Sequence, residues 1–232
     1  MKYKNVVKGT FIDRPNRFIA LVNIDGRMEK CHVKNTGRCK ELFVKDAPLY
    51  LEVSDNPNRK TAYDVIGVIK GDTMINIDSQ VPNKVVHEWM LESGFLSDKD
   101  SIKPEHRYQN SRFDFYAETA DQSRKILIEV KGVTLEEDGV ARFPDAPTER
   151  GIKHMKELIA AKENGYESYL IFVIQMKGVH RFEPNYRTHR EFGQVLVQAE
   201  KAGVKVLAFD CIVTEDSLKI DQPIKIQLME NK

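Results

Sequence analysis

Ser111-Arg112-Phe113-Asp114-Phe115-Tyr116-Ala117-Glu118 and Lys125-Ile126-Leu127-Ile128-Glu129-Val130-Lys131-Gly132 are joined by the polar stretch 119–124. Both read as strands, because β-branched and aromatic residues dominate each and turn-forming residues lie between them. Side chains alternate along a strand, so Glu129 and Lys131 share one face while Ile128 and Val130 take the other. If the two strands pair, Asp114 approaches Glu129. Two neighbouring carboxylates repel unless positive charge lies between them. Mg²⁺ or Mn²⁺ meets that need with one or two carboxylates and otherwise water and phosphate oxygens, and the Val130 carbonyl is a candidate third ligand. Lys131 adds a second cation able to orient water or steady charge growing on a phosphate.

The sequence after this pair predicts strands alternating with helices. Helical patterns cover 147–164 and 190–202, ended by Gly165 and Gly203, and apolar runs at 169–175 and 204–213 read as buried strands. A further helix is expected from Asn83 to Leu91, with Asn83 as its cap and Gly94 as its stop. Upstream, strands are expected at 6–12, 17–23, 27–33, 48–53 and 62–69, with turns at 14–16, 25–26, 35–37 and 55–58 and a short helical turn at 37–43. The fold class is therefore α/β with an all-β N-terminal domain: a small barrel of OB-fold size over residues 1–80, then an α/β domain with a mixed central sheet over 81–232.

The 232 residues carry a net charge of only +1, but residues 1–45 hold eleven Lys and Arg against four Asp and Glu. A local basic excess of this kind suits phosphate neutralisation. With 41% hydrophobic and 31% charged residues the chain is expected to be globular, neither fibrous nor disordered. No apolar core follows Met1 to Asn5, and the run Tyr169 to Ile174 is too short to cross a bilayer, so neither secretion nor membrane insertion is expected. Three cysteines without a CxxC pair fit a reducing, cytoplasmic compartment. Cys31, His32 and Cys39 lack the spacing of a structural zinc site, no phosphate-binding glycine loop or nucleophile elbow occurs, and no organic cofactor is expected.

Arg150, Lys153 and His154 lie three or four residues apart near the start of the 147–164 helix, hence on one side of it. Cations there oppose the helix dipole, and phosphate binding explains the placement as well as pairing with Glu149 or Glu157 does. Glu88, on the helix before the hairpin, is a further candidate metal-side carboxylate. Phe11, Phe18, Tyr50 and Tyr63 fall on barrel strands, where an aromatic either fills the core or stacks a base. His87, His180 and His189 have no recognisable partner in the sequence.

Asp114, about fifteen residues, then Glu129-x-Lys131 resembles the core of the PD-(D/E)XK, or restriction-endonuclease-like, nucleases. Longer blocks are more specific. Asn110 to Phe115, Glu129 to Leu135, Phe143 to Gly151 with Lys153-His154, Arg14 to Phe18, and His32 to Arg38 with Glu41-Leu42 resemble, in order, the signature blocks of the sugar fermentation stimulation protein A family. The resemblance implies an OB-fold, a PD-(D/E)XK nuclease-like domain, binding of DNA with little sequence preference, and a regulatory link to sugar, particularly maltose, metabolism. It places the nuclease positions at Asp114, Glu129 and Lys131, with Glu88 on the preceding helix. Cys39 stands where the family pattern has an aliphatic residue or Met. Arg14, Arg17, Lys34, Arg38 and Arg112, with Arg150, Lys153 and His154, are the candidate phosphate contacts. The expected function is a DNA-binding protein with a divalent-metal phosphodiesterase site. The alternative is a DNA-binding regulator that keeps the fold without turnover, and a sugar-binding role rests on the family's name only.

Overall fold

The computed structural model describes residues 1–35 and 37–229; Thr36, in the expected turn at 35–37, and residues 230–232 lie outside them. Strands β1 (Val6–Asn16), β2 (Ile19–Ile24), β3 (Arg27–Val33), β4 (Pro48–Val53), β5 (Tyr63–Lys70) and β6 (Thr73–Asn76) form one sheet in the order β3-β2-β1-β4-β5-β6. A parallel pairing of β3 with β5, through His32–Asp64 and Val33–Val65, closes the first five into a barrel. Along β2, Ala20, Val22 and Ile24 point inward while their neighbours are more exposed, the period-two pattern of a strand buried on one face. Asp25 and Gly26, both at positive φ (51° and 81°), turn β2 tightly into β3. The stretch expected to make a helical turn makes one turn only, the carbonyl of Cys39 accepting from the N–H groups of Leu42 and Phe43.

The remaining elements are α1 (Val81–Glu92), β7 (Ser101–Tyr108), β8 (Ser111–Glu118), β9 (Lys125–Val133), β10 (Leu135–Glu137), β11 (Val140–Phe143), α2 (Glu149–Glu163), β12 (Glu167–Ile174), β13 (Arg181–Pro184), α3 (Arg190–Lys201), β14 (Lys205–Val213), β15 (Leu218–Pro223) and β16 (Lys225–Ile226). The central sheet runs β15-β14-β12-β9-β8-β7, with β12 parallel to both β9 and β14 and the outer pairs antiparallel. Strands β10, β11, β13 and β16 form a small sheet of their own. Helix α1 starts at Val81, two residues before the expected Asn83, because Pro82 at the first turn favours initiation there. Asn83 is thereby released from capping. The strands absent from the sequence reading, β6, β7, β10, β11, β13, β15 and β16, are short or carry too little apolar alternation; most of β7 is exposed.

Two cores sandwich the central sheet. Ile126, Ile128 and Val130 of β9 pack with Val85, Val86 and Met90 of α1. On the opposite face Leu127 and Val133 join Leu158 of α2 and Leu196 of α3 in a cluster that runs without a break into the barrel interior at Leu49, Leu51 and Val65. Buried polar groups also cross between barrel and sheet: Gln175 donates through Nε2 to Asn76 Oδ1 (2.9 Å) and to the Asp78 carbonyl (3.0 Å), and its own carbonyl accepts from the N–H of Asn76. None of the helices is long and apolar enough to cross a membrane among the described residues.

Candidate functional site

The backbone pairing of β8 with β9 ends at Phe115–Ile128, one residue short of Asp114 and Glu129. Beyond that rung the Asp114 side chain takes over: Oδ2 accepts the N–H of Val130 (2.7 Å), and Oδ1 accepts from Asn83 Nδ2 (2.8 Å) on α1. On β9, Glu129 and Lys131 share a face as the alternation requires, and the Lys131 ammonium bonds Oε1 of Glu129. His154, from the second turn of α2, donates its Nδ1–H to the same oxygen at 2.6 Å. Its Nε2 faces the Nε–H of Arg150 (3.4 Å), which selects the tautomer with the proton on Nδ1. The second carboxylate oxygen, Oε2 of Glu129, is buried with no partner among the described residues.

The two acids are pushed apart electrostatically. Burial would drive the Glu129 carboxyl up, but the His154 hydrogen bond and the Lys131 ammonium outweigh it, and the group is held below the usual glutamate value. For Asp114 burial dominates and the Glu129 charge adds to it; the Val130 N–H, Asn83 and Lys131 only partly offset them, so its carboxyl lies above the usual aspartate value. A cation beside Asp114 and the free oxygen of Glu129 would relieve both the repulsion and the missing contact.

The other expected residues divide. His154 is buried and serves Glu129, a role that its place in a basic helix turn did not reveal; only a partner distant in sequence could have shown it. Arg150 and Lys153 are exposed on α2, Lys153 reaching the Asn110 carbonyl (2.7 Å) at the tip between β7 and β8. Glu88 lines the same cleft as Asp114, but its Oε2 pairs with the α-amino group of Met1 at 2.6 Å. Arg112 pairs with Glu105 (2.7 Å). Lys34 turns inward among Glu52, Asp64 and Asp78, a cluster in which Asp64 also takes His32 and a two-pronged contact from Arg59. Asn83 is the residue of the site that sequence reading assigned otherwise, as a helix cap.

Arg14 is likewise committed internally. Its two terminal nitrogens donate to the carbonyls of Arg38 (2.5 Å), Arg17 (2.8 Å), Gly37 (3.0 Å) and Asn35 (3.1 Å), and its guanidinium lies 4.5 Å from the ring centre of Phe43. It clamps the β1–β2 turn to the loop after β3. Above the clamp opens a cleft of about 560 Å³ lined by Arg14, Asn16, Arg17, Arg38, Lys40 and Phe43 from the barrel and by Ala146 from the segment entering α2.

Two family descriptions match this chain in order: the SfsA N-terminal OB domain over residues 12–77 and the sugar fermentation stimulation protein RE domain over residues 80–217. The chain belongs to the SfsA, or sugar fermentation stimulation protein, family. The sugar fermentation stimulation protein homolog of Clostridium beijerinckii is 59% identical over 228 residues, covering 98% of this chain and all of that protein. The homolog of Desulfitobacterium hafniense is 57% identical over 230 residues, with 99% of this chain and all of that protein covered. A solved structure of Pyrococcus furiosus SfsA in complex with Ca²⁺ superposes with a TM-score of 0.85 at 27% identity, across 98% of both chains. The first five strands are accordingly an OB barrel, followed by the mixed α/β domain of the SfsA family.

The donor chemistry of this chain's acids fits a hard divalent cation. The described residues hold no cluster of three or more His, Cys, Asp or Glu side chains able to form a closed metal cage. Two carboxylates, one with a buried oxygen lacking any partner, instead match an ion that takes one or two protein carboxylates and completes its shell with water and substrate oxygens.

Proposed function

We propose that this SfsA-family chain is a divalent-metal-dependent phosphodiesterase acting on DNA with little sequence preference, working in the cytoplasm. Asp114 and the free Oε2 of Glu129 would hold Mg²⁺ or Mn²⁺, with the Val130 carbonyl as a third oxygen. The ion, when bound, supplies Lewis-acid stabilisation of a phosphodiester oxygen and a more acidic water. His154 and Lys131 fix the rotamer of Glu129 through Oε1, and Asn83 and the Val130 N–H fix that of Asp114. Lys131, half-buried at the end of β9, steadies negative charge on the phosphate as one P–O bond forms to water and another breaks, the water's proton passing to the leaving oxygen. Arg150 and Lys153 contact neighbouring phosphates, and the basic barrel grips the backbone.

The observation that carries this reading is the partnerless buried oxygen of Glu129 beside an Asp114 whose own two oxygens are pinned. A plasmid-nicking assay with Mg²⁺ or Mn²⁺ tests it. Cleavage by the native chain, lost in Asp114→Ala and Lys131→Ala while DNA binding persists, supports the enzyme. No cleavage with either ion removes it in favour of a DNA-binding regulator of sugar metabolism, a reading that draws on the Lys131 ammonium being already engaged by Glu129.

A further inference from the structure

The cleft on the barrel has charge and an aromatic surface arranged side by side. Arg17, Arg38 and Lys40 are exposed and make no ion pair with an acid among the described residues. The clamp of Arg14 draws four loop carbonyls inward, so the oxygens that would repel a phosphate are already satisfied beneath these cations. Of the four aromatics on or beside the barrel strands, Phe11 is buried against Phe43 and both tyrosines are half-buried, whereas Phe18 is 45% exposed. The Arg17 guanidinium stands 5.1 Å from the Phe18 ring centre, which joins the exposed ring to the cation-lined rim. Phe18 is rigidly held: its N–H bonds Asn16 Oδ1 (2.9 Å) and its carbonyl accepts from Val33 (2.8 Å). The ring thus stands in water on the flank of Arg17, itself one of the cations that line the cleft.

From this juxtaposition we infer that the barrel cleft seats an unpaired strand of nucleic acid, with backbone phosphate on Arg17, Arg38 and Lys40 and a base stacked on Phe18. A duplex is too thick to enter a cleft of this size and keeps its base faces inside the stack, leaving no plane for the ring. An unpaired strand is slim enough to enter and has a free base face. Asp145, which lines the adjacent polar cavity beside Gly37, marks the side that repels phosphate. The assignment rests on the reading that the barrel binds nucleic acid, and it names the form.

Fluorescence anisotropy of the full chain in EDTA tests it, with labelled single-stranded DNA, single-stranded RNA and duplex DNA of one sequence of about 20 nucleotides, long enough to exceed one barrel's site. The single strand binds about tenfold tighter than the duplex; tighter DNA or tighter RNA identifies which strand is preferred, and either supports the assignment. Phe18→Ala weakens single-strand binding roughly five- to thirtyfold while duplex binding and melting temperature stay as in the native chain, and Phe18→Trp restores it. Arg17→Ala and Arg38→Ala each lower the salt slope for the single strand by about 0.7. A duplex bound as tightly as the strand, or a Phe18→Ala change equal for both forms, overturns the assignment. Absent cleavage with Mn²⁺ alongside a retained strand preference sinks only the phosphodiesterase reading; absent binding to every probe sinks this one.

Discussion

His154 on α2 holds Glu129 on β9 by a 2.6 Å hydrogen bond to Oε1, so the oxygen left over, Oε2, is the one kept buried without a partner. Hydrogen bonds that orient a ligating carboxylate commonly govern metal affinity, their loss costing about 10- to 100-fold. Isothermal titration with Ca²⁺ or Mn²⁺ should show His154→Ala weakened by about that factor, with Asp114→Ala weakened further. A glutamine at position 154 can donate through its amide, so His154→Gln should recover part of the affinity. Unchanged affinity in His154→Ala would remove the positioning role.

Asp114 and Glu129 act on stability with opposite signs. The raised Asp114 carboxyl means the native chain takes up a proton at higher pH than the unfolded chain, so the ionised group subtracts stability above its folded value, and the penalty vanishes as pH falls below the unfolded one. Asp114→Asn puts an amide N–H where either the Val130 N–H or Asn83 was accepted, a cost that does not change with pH, so without metal its melting temperature relative to the native chain should be higher at pH 7 than near pH 4. Glu129, held low, contributes stability above the usual glutamate range that is lost as pH drops through its folded value. A melting-temperature series from pH 3 to 8 on the native chain, Asp114→Asn and Glu129→Gln checks the signs.

Asp64 is a structural acid. Buried in the barrel wall, it accepts from Arg59, His32 and Lys34, which overcome its burial and hold its carboxyl far below the usual range. Removing it with Asp64→Ala leaves the half-buried Arg59 guanidinium without its two-pronged partner and takes one acceptor each from His32 and Lys34, and should cost roughly 3 kcal/mol, read by urea denaturation. Its stabilising share persists above the ordinary aspartate value and is lost only as pH falls toward the depressed one, so the native chain should resist acid better than Asp64→Ala.

Gly132, directly after Lys131, is wedged between the two halves of the molecule. A Cβ there would stand 2.5 Å from Gln175 Oε1 and 2.9 Å from Pro82 Cγ. Gly132→Ala should displace the amide that ties Asn76 and Asp78 to the central sheet, lowering stability by about 1–3 kcal/mol and weakening metal binding by shifting the end of β9. Calorimetric unfolding and a Ca²⁺ titration together check both effects.

The sequence by itself determined the parts that depend on local rules. Period-two alternation put Glu129 and Lys131 on one face, a two-residue Asp-Gly turn and β-branched runs drew the barrel, and glycine stops ended the helices near their observed limits. It misread Asn83 and His154, whose types suit a helix cap and a phosphate contact, because each acts on a partner far along the chain: Asn83 on Asp114, His154 on Glu129. It also took Arg14 and Lys34 for phosphate contacts, although one clamps loop carbonyls and the other sits among three acids. Backbone propensity is encoded within a few residues, whereas a side chain's hydrogen-bonding partner is set by which distant strands and helices the packing brings together. Only the tertiary structure could therefore tell a charge offered to solvent from one already engaged.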